Sequence, residues 1–280
     1  MNKSMEEQPK YREIIESLDL NYKKIKSMRP LPPAGIKYFH NEFAISTTHN
    51  SNAIEGNTFT YDETKLLLEK GITSSMRSFR EHEDIVGYKK GFDFLYEALK
   101  QRREISEDFI KQIHFFVQYG VEGAGEYRTI QNYIGDLTRI TYTPCSPNEV
   151  PSMMKDYINK IQLDYKRNKD LMEQDNIDWI KLFHNFAEHH IEFERIHPFL
   201  DGNGRTGRLL LTYEMILLGL IPIDIRYDER ERYYAGLSTY EDKRRYSTRK
   251  ESKTEKMAKL LMECELRSLD LWVKTFSDYI

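Results

Sequence analysis

HPFLDGNGRTGR, residues 197–208, places a histidine, an aspartate and an asparagine among glycines and then opens an apolar helix. Gly202 and Gly204 let the backbone adopt left-handed conformations, so successive N–H groups can point into one concavity that suits anionic oxygens. A helix that begins near Arg205 adds unpaired N–H groups and the positive end of its dipole. The stretch therefore predicts a phosphate-binding loop, although its spacing is that of neither a P-loop nor a dinucleotide fingerprint.

The side chains of the same stretch suggest a chemistry. Arg205 and Arg208 share one helix face and need an anion beside them, which a polyphosphate would supply through bidentate hydrogen bonds. Asp201 offers a hard oxygen ligand suited to Mg²⁺, and Asn203 can donate to a phosphate oxygen without adding charge. His197 is the group of this stretch that titrates near neutral pH, which makes it the natural general base. Together these residues predict nucleotidyl transfer to a hydroxyl group.

Composition narrows the class of protein without identifying it. The 280 residues are 39% hydrophobic and 31% charged with a net charge of −3, which predicts one or two globular domains and no bulk binding of nucleic acid. The N-terminus lacks the apolar region of a secretion signal, and Glu214 interrupts the longest apolar stretch, so no membrane association is expected. Two cysteines without metal-site or disulfide spacing favour a cytoplasmic protein.

Helical periodicity dominates the rest of the chain. It predicts helices at 5–27, 36–54, 61–70, 79–100, 106–119, 148–167, 177–195, 205–219, 229–240 and 254–276. Residues 126–143 break the rhythm with tyrosine, threonine and isoleucine around Gly135-Asp136, which is typical of a β-hairpin. The basic stretch 243–250 is interpreted as a solvated linker, with a role in substrate docking as the alternative.

HPFLDGNGRTGR resembles the HPFx(D/E)GNGRxxR signature of Fic-domain proteins at every fixed position. The resemblance implies an all-α, Fic-type helical bundle with a small hairpin flap over the active site. It implies a catalytic core at 101–245, preceded by a helical region at 1–100 and followed at 246–280 by a helix that packs on the core. It further implies an enzyme that transfers AMP from ATP, with Mg²⁺, to a serine, threonine or tyrosine hydroxyl of a target protein and of itself.

The family motif also implies a role for each matching residue. These roles are general base for His197, Mg²⁺ ligand for Asp201, α-phosphate binding for Gly202, Asn203 and Gly204, β/γ-phosphate binding for Arg205, and γ-phosphate binding for Arg208. The phosphorylating Doc branch carries lysine where this chain has Gly204, so the resemblance favours AMP transfer over phosphoryl transfer.

A second motif lies upstream, in SNAIEG at residues 51–56. Its spacing alone is typical of a helix end with Gly56 just past the last turn. The motif also resembles the (S/T)xxxE(G/N) inhibitory motif of Fic proteins, here Ser51, Glu55 and Gly56. The resemblance implies that Glu55 pairs with Arg208 and occupies the γ-phosphate position.

Two further segments resemble family features. The hairpin is similar to the flap that pairs with the backbone of the target protein, with Ile134, Gly135 and Asp136 near its tip. Tyr233 and Tyr234 are similar to a YYxxL helix beside the adenine, while core packing is the other interpretation of these tyrosines. Some relatives have an asparagine where this chain has Glu241 or Asp242, which leaves base specificity open.

Several alternatives remain at this level. The same fold supports removal of AMP or transfer of another nucleotide, and a protein that senses ATP without turnover would use the same cradle. The histidines 184, 189, 190 and 197 are spaced by five, one and seven residues, which does not favour a zinc site on one helix face. Homodimers are common in the family, so a homodimer is also open here.

Overall fold

The computed structural model describes residues 9–73, 76–135, 140–238 and 253–277, and this part of the chain is an all-α fold with one small hairpin. Its ten helices are α1 (Pro9–Ser27), α2 (Pro33–Ile54), α3 (Tyr61–Lys70), α4 (Phe79–Lys100), α5 (Glu107–Val117), α6 (Val150–Glu173), α7 (Trp179–Ile196), α8 (Asn203–Leu217), α9 (Arg230–Ser238) and α10 (Glu255–Ser277). Among the described residues, no helix combines the length and the apolar character that crossing a membrane requires.

Local capping sets the starts of several helices. Thr60 Oγ1 accepts a hydrogen bond from the N–H of Glu63 at the start of α3, and the Glu63 carboxylate in turn accepts one from the N–H of Thr60. Ser106 accepts from the N–H of Phe109 and caps α5 in the same way. Both start signals were visible in the sequence, and every predicted helix is present. The largest differences are at the end of α6, which extends to Glu173 instead of residue 167, and at the start of α2, three residues earlier than predicted. Helix α8 begins at Asn203, two residues earlier than predicted.

Two clusters of buried hydrophobic side chains surround the α7–α8 pair. The first packs α1 and α10 against one side of the pair, and the second packs α2, α4, α5 and α6 against the other side. These clusters draw residues from all three of the predicted regions. Because both helices are buried between the two clusters, the loop that joins them is held at fixed ends.

A glycine lets α4 approach α5 closely. A Cβ added to Gly87 would lie 2.6 Å from the carbonyl oxygen of Phe116 and 2.9 Å from that of Val117. No larger residue fits there without a backbone shift. The close approach brings the first turns of α4 towards the loop between α7 and α8.

The predicted hairpin is present. Strands β1 (Ile134–Gly135) and β2 (Ile140–Tyr142) are antiparallel, with Ile134 opposite Tyr142 and Gly135 opposite Ile140. Ile134 and Gly135 form β1, and Gly135 is its last residue. Asp136 and the basic stretch 243–250 lie outside the described residues.

Candidate active site

The site is built on the turn that connects α7 to α8. Helix α7 ends at Ile196, and His197 adopts a left-handed backbone with φ 50° and ψ 58°. This conformation costs a non-glycine residue about 1 kcal/mol, so other contacts must hold it. The Arg128 Nε donates to the carbonyl oxygen of His197 at 2.9 Å. The left-handed turn ends the helix and carries the imidazole to the edge of a cavity.

The side chain of Arg128 stabilises this turn, a role that the sequence did not predict. Its side chain is buried, and besides His197 it donates to the carbonyl oxygens of Cys145 and Ile196 at 2.5 and 3.4 Å. Its backbone N–H donates to the carbonyl oxygen of Pro198 at 2.9 Å. A buried guanidinium that is satisfied by carbonyl oxygens fixes the backbone on both sides of His197.

His114 of α5 also stabilises the loop between α7 and α8, and the sequence did not predict this role either. Its ring stacks on Phe199 with centroids 3.7 Å apart and an interplanar angle of 2°. The N–H of Gly125 donates to its Nδ1, so its Nε2–H donates to the carbonyl oxygen of Asp201 at 2.9 Å. Burial lowers the pKa of His114 to about 4, which keeps the ring neutral and preserves this pattern.

Asn203 closes the loop internally. Its Oδ1 accepts from the N–H of Phe199 at 2.9 Å, and its Nδ2 donates to the carbonyl oxygen of the same residue at 2.8 Å. The side chain is only 2% exposed. Both atoms of the Asn203 amide therefore bond the backbone of Phe199 and hold the loop in shape, and its contact with a phosphate stays a prediction.

The start of α8 presents backbone N–H groups to the site. The first intrahelical bond runs from the N–H of Thr206 to the carbonyl oxygen of Gly202, at 3.0 Å. The N–H groups of Asn203, Gly204 and Arg205 thus have no acceptor within the helix, and no side chain caps it. Gly202, with φ 75°, makes the sharp entry that exposes these groups. The arrangement suits an anionic oxygen.

Arg208 is held by Ser51 and Glu55 of the upstream motif. Its Nη2 donates to Glu55 Oε1 at 2.7 Å and to the carbonyl oxygen of Ser51 at 2.9 Å. Its Nε donates to Ser51 Oγ at 2.8 Å. The predicted contact between Glu55 and Arg208 is therefore present, and Ser51 contributes two more bonds. Gly56, with φ 94°, follows as the end of α2.

Gly204 allows the Glu55 carboxylate to lie over the start of α8. A Cβ at Gly204 would collide with Glu55 Oε1 and would lie 3.2 Å from the Nη1 of Arg208. The carboxylate therefore fills space directly beside the N–H groups described above. An anion in this position competes with any other anion that the helix start would bind.

Arg205 faces α4. Its Nη1 lies 2.5 Å from Asp84 Oδ1, and its Nη2 lies 3.7 Å from Asp201 Oδ2. Its Nε is buried without a hydrogen-bond partner among the described residues. Asp84, which sequence reasoning missed, positions the guanidinium, and the unsatisfied Nε leaves Arg205 with donor capacity for a further anion.

Asp201 is the predicted metal ligand. Its side chain is 72% exposed, and its Oδ1 accepts from the N–H of Gly202 at 2.7 Å. Desolvation opposes ionisation, but Arg205 and the Gly202 N–H outweigh it and lower the pKa of Asp201. A single ionised, solvent-facing carboxylate fits Mg²⁺ that takes its other ligands from phosphate oxygens. Among the described residues there is no cluster of three candidate metal-binding side chains.

The two tyrosines of α9 have different positions. Tyr233 borders the cavity but is 1% exposed; its hydroxyl accepts from Arg208 Nη1 at 3.2 Å and donates to His190 Nε2 at 2.8 Å. Burial lowers the pKa of His190 to about 3, consistent with a neutral acceptor. The burial of Tyr233 and its bond to Arg208 favour the core-packing interpretation of this residue. Tyr234 is 44% exposed, and its hydroxyl donates to the carbonyl oxygen of Ile54 at 3.0 Å. Glu241 and Asp242 lie outside the described residues.

These groups open on one cavity of about 760 Å³, a volume that suits a nucleotide. Both strands of the hairpin border it, and its other walls include Glu55, Ile191, Glu194, His197, Gly204, Tyr234 and Leu237. A separate groove of about 850 Å³ between α2, α4 and α5 contains no residue of either motif. The predicted base, inhibitory glutamate and flap strands therefore meet at the same cavity.

His197 has the protonation state that a base requires. Burial is the largest influence on its pKa and lowers it, although the carbonyl oxygen of Glu194 opposes this shift. The Nδ1 lies 3.2 Å from that carbonyl oxygen, so Nδ1–H is the donor and Nε2 keeps its lone pair. At neutral pH the ring is therefore an acceptor at Nε2.

Comparison with known proteins agrees with this geometry. Residues 104–215 match the model of the Fic/DOC family. The chain carries a Fic/DOC family domain. The match includes α5 to α7 and most of α8, and hence the whole loop that carries His197.

Relatives extend the similarity beyond the domain. Protein adenylyltransferase fic-1 of Caenorhabditis elegans is 34% identical over 193 residues, which cover 68% of this chain and 35% of that protein. Protein adenylyltransferase Fic of Nematostella vectensis is 30% identical over 233 residues, 81% of this chain and 50% of that protein. The chain thus spans a third to a half of the length of these curated relatives.

Solved structures share the fold over nearly the whole chain. A Fic domain containing signaling protein from Bacteroides thetaiotaomicron has a TM-score of 0.78 and 27% identity, covering 94% of this chain and 98% of that one. Fic-1 from C. elegans has a TM-score of 0.72 and 26% identity, covering 95% and 74%. The helices outside residues 104–215 therefore also have counterparts in Fic proteins.

Proposed function

We propose that this protein is an adenylyltransferase that moves AMP from ATP to a hydroxyl side chain of a target protein and of itself. One observation carries the proposal. The neutral imidazole of His197 and the N–H groups at the start of α8 open on one cavity of nucleotide size. The similarity to relatives named protein adenylyltransferase, and the glycine at position 204, support AMP as the transferred group.

In this mechanism the N–H groups of Asn203, Gly204 and Arg205 hold the α-phosphate, and the Arg205 guanidinium binds the phosphates beyond it. The target hydroxyl oxygen attacks the α-phosphorus. The bond from that phosphorus to the oxygen that bridges to the β-phosphate breaks, and pyrophosphate leaves. Nε2 of His197 takes the hydroxyl proton. Mg²⁺, held by Asp201 and by phosphate oxygens, would neutralise charge on the triphosphate.

Glu55 is the inhibitory element of this proposal. Its carboxylate lies against Arg208 and above Gly204, where the γ-phosphate would need to reach the same guanidinium. Two anions cannot share one buried arginine without strong repulsion. Productive binding of ATP thus requires Glu55 to leave Arg208, which keeps the basal rate low.

The hairpin is the proposed docking edge for the target. Its strands border the cavity, so an extended segment that pairs with β1 would bring a serine, threonine or tyrosine towards His197. Both cysteines are free thiols, in keeping with a proposed cytoplasmic location.

Intact-mass spectrometry tests the reaction. We would incubate the wild type, Glu55→Gly, and Glu55→Gly combined with His197→Ala with ATP and Mg²⁺. The expected result is a mass gain of one AMP that is larger in Glu55→Gly and absent in the double variant. Binding of ATP without any covalent product in all three proteins would instead indicate a nucleotide sensor.

Specificity is tested in the same assay with GTP, UTP and CTP in place of ATP. AMP transfer predicts labelling with ATP at far lower concentration than with the pyrimidine nucleotides. Release of AMP from a previously labelled protein, without net labelling, would identify the removal reaction as the principal activity.

A further inference from the structure

Glu194 is a carboxyl group in the cavity that the proposed mechanism does not use. It lies on α7 between Ile191 and His197, and all three residues line the cavity. The α-helix rises 1.5 Å per residue, so Glu194 is roughly 4.5 Å along the axis from each of the other two. Along α7, the wall of the cavity thus presents an apolar residue, then a carboxyl group, and then His197, the proposed general base.

The carboxyl group is poorly satisfied within the protein. Its Oε1 is buried and has no hydrogen-bond partner among the described residues. The atom lies over α8, where a Cβ at Gly207 would be 2.5 Å away from it. Burial raises the pKa of Glu194 to about 8, with Arg208 opposing and Glu55 adding to the shift. The group is therefore mostly a neutral acid at pH 7, able both to donate and to accept a hydrogen bond.

The order of groups along the cavity matches the order of parts in a nucleotide. The proposed phosphate site lies at Gly204 and His197, and Ile191, which precedes Glu194 by three residues on α7, provides an apolar wall that suits a nucleobase. The ribose lies between the α-phosphate and the base because of its covalent connections. In this placement of the nucleotide, its 2′ and 3′ hydroxyls would be the polar groups level with Glu194.

We propose that Glu194 hydrogen-bonds the ribose hydroxyls and makes the site selective for ribonucleotides over 2′-deoxyribonucleotides. The inference rests on the proposed function for the placement of the phosphates. A polar group that a cavity leaves unpaired discriminates against a ligand that cannot satisfy it. Glu194 is therefore a specificity-determining residue, distinct from the groups that act on the phosphates.

Binding measurements test this assignment without requiring turnover. Isothermal titration calorimetry would give Kd for ATP, 2′-dATP and 3′-dATP in the Glu55→Gly protein, in which Glu55 no longer competes. We expect this parent to prefer ATP over at least one deoxy analogue by about tenfold, the effect of one to two hydrogen bonds. Adding Glu194→Ala should reduce that preference to about twofold or less, and Glu194→Gln should retain part of it.

Glu192→Ala is the matched control, because Glu192 is a carboxylate on the same helix that pairs with Lys160. It should keep the full preference. An unchanged preference in a folded Glu194→Ala protein, or none in the parent, overturns the inference. Absence of ATP binding in the parent overturns the proposed function as well. ATP binding with ribose discrimination but no AMP transfer would overturn the proposed function alone.

Discussion

Replacing Glu55 with glycine tests the inhibitory contact directly. The change removes the carboxylate that accepts from Arg208 Nη2 at 2.7 Å. The bonds from Arg208 to Ser51 and Tyr233 involve other acceptors and remain available. Because glycine is well tolerated at the end of a helix, α2 should keep its length. The perturbation is therefore confined to one anion at the proposed γ-phosphate position.

The expected increase in rate follows from the solvent exposure of Glu55 and Arg208. A hydrogen bond to a charged group contributes about 1.5–3 kcal/mol when it is buried. Arg208 is 5% exposed but the Glu55 side chain is 37% exposed, so solvent screening reduces the value to about 1–2 kcal/mol. If ATP must break this contact, its loss should raise the rate at subsaturating ATP by about 5- to 30-fold. The unfolding midpoint should fall by only a few degrees.

The assay is the initial rate of self-labelling with radiolabelled ATP below its KM. Glu42→Gln serves as the matched control, because Glu42 lies on the same helix and pairs with Lys65 away from the cavity. The control should label at the wild-type rate. If Glu55→Gly is folded and binds ATP yet labels no faster than the wild type, Glu55 does not inhibit the enzyme.

Three other predictions concern pH and packing. Burial lowers the pKa of His197, and a general base is active only when it is deprotonated. In the pH profile of kcat/KM, the decrease on the acid side should therefore lie below pH 6.5. A decrease that already begins above pH 6.5 would contradict a buried neutral base. His189, buried between Asp164 and Glu214 at 3.0 and 2.8 Å, has its pKa raised to about 9 by these carboxylates despite burial. Because the pKa of His189 is higher in the folded than in the unfolded protein, its protonation should stabilise the fold by about 2–3 kcal/mol. Urea denaturation should show this contribution in full below pH 6.5 and its loss as the pH rises through 9. The variant His189→Asn should abolish this pH dependence. Gly87→Ala gains up to about 1 kcal/mol of helix propensity but forces a Cβ against two backbone carbonyl oxygens. Calorimetry should therefore show a net decrease of about 1–2 kcal/mol in the free energy of unfolding. An unchanged unfolding midpoint would mean that α4 can move away from α5.

Part of the site could be predicted because it depends on local chemistry. The glycines that permit a left-handed backbone, the free N–H groups of a helix start and the two arginines on one helix face all lie within HPFLDGNGRTGR. Each of these features depends only on residues that are close in sequence. Helical periodicity and capping residues likewise act within a few positions, which explains why every predicted helix is present. The pairing of Glu55 with Arg208 came from resemblance to a family motif, since no local rule connects residues so far apart.

The tertiary structure decided which of these groups are held by the protein and which face a ligand. Asn203 could donate to a phosphate or to the backbone, and only the folded loop shows that Phe199 occupies its amide. Arg128 and His114 support the loop from 69 and 87 residues away in sequence. Such partners depend on how helices pack, because a buried polar group takes whichever complementary group the fold brings near it. The sequence by itself determined the chemistry of the loop, and helix packing determined its geometry.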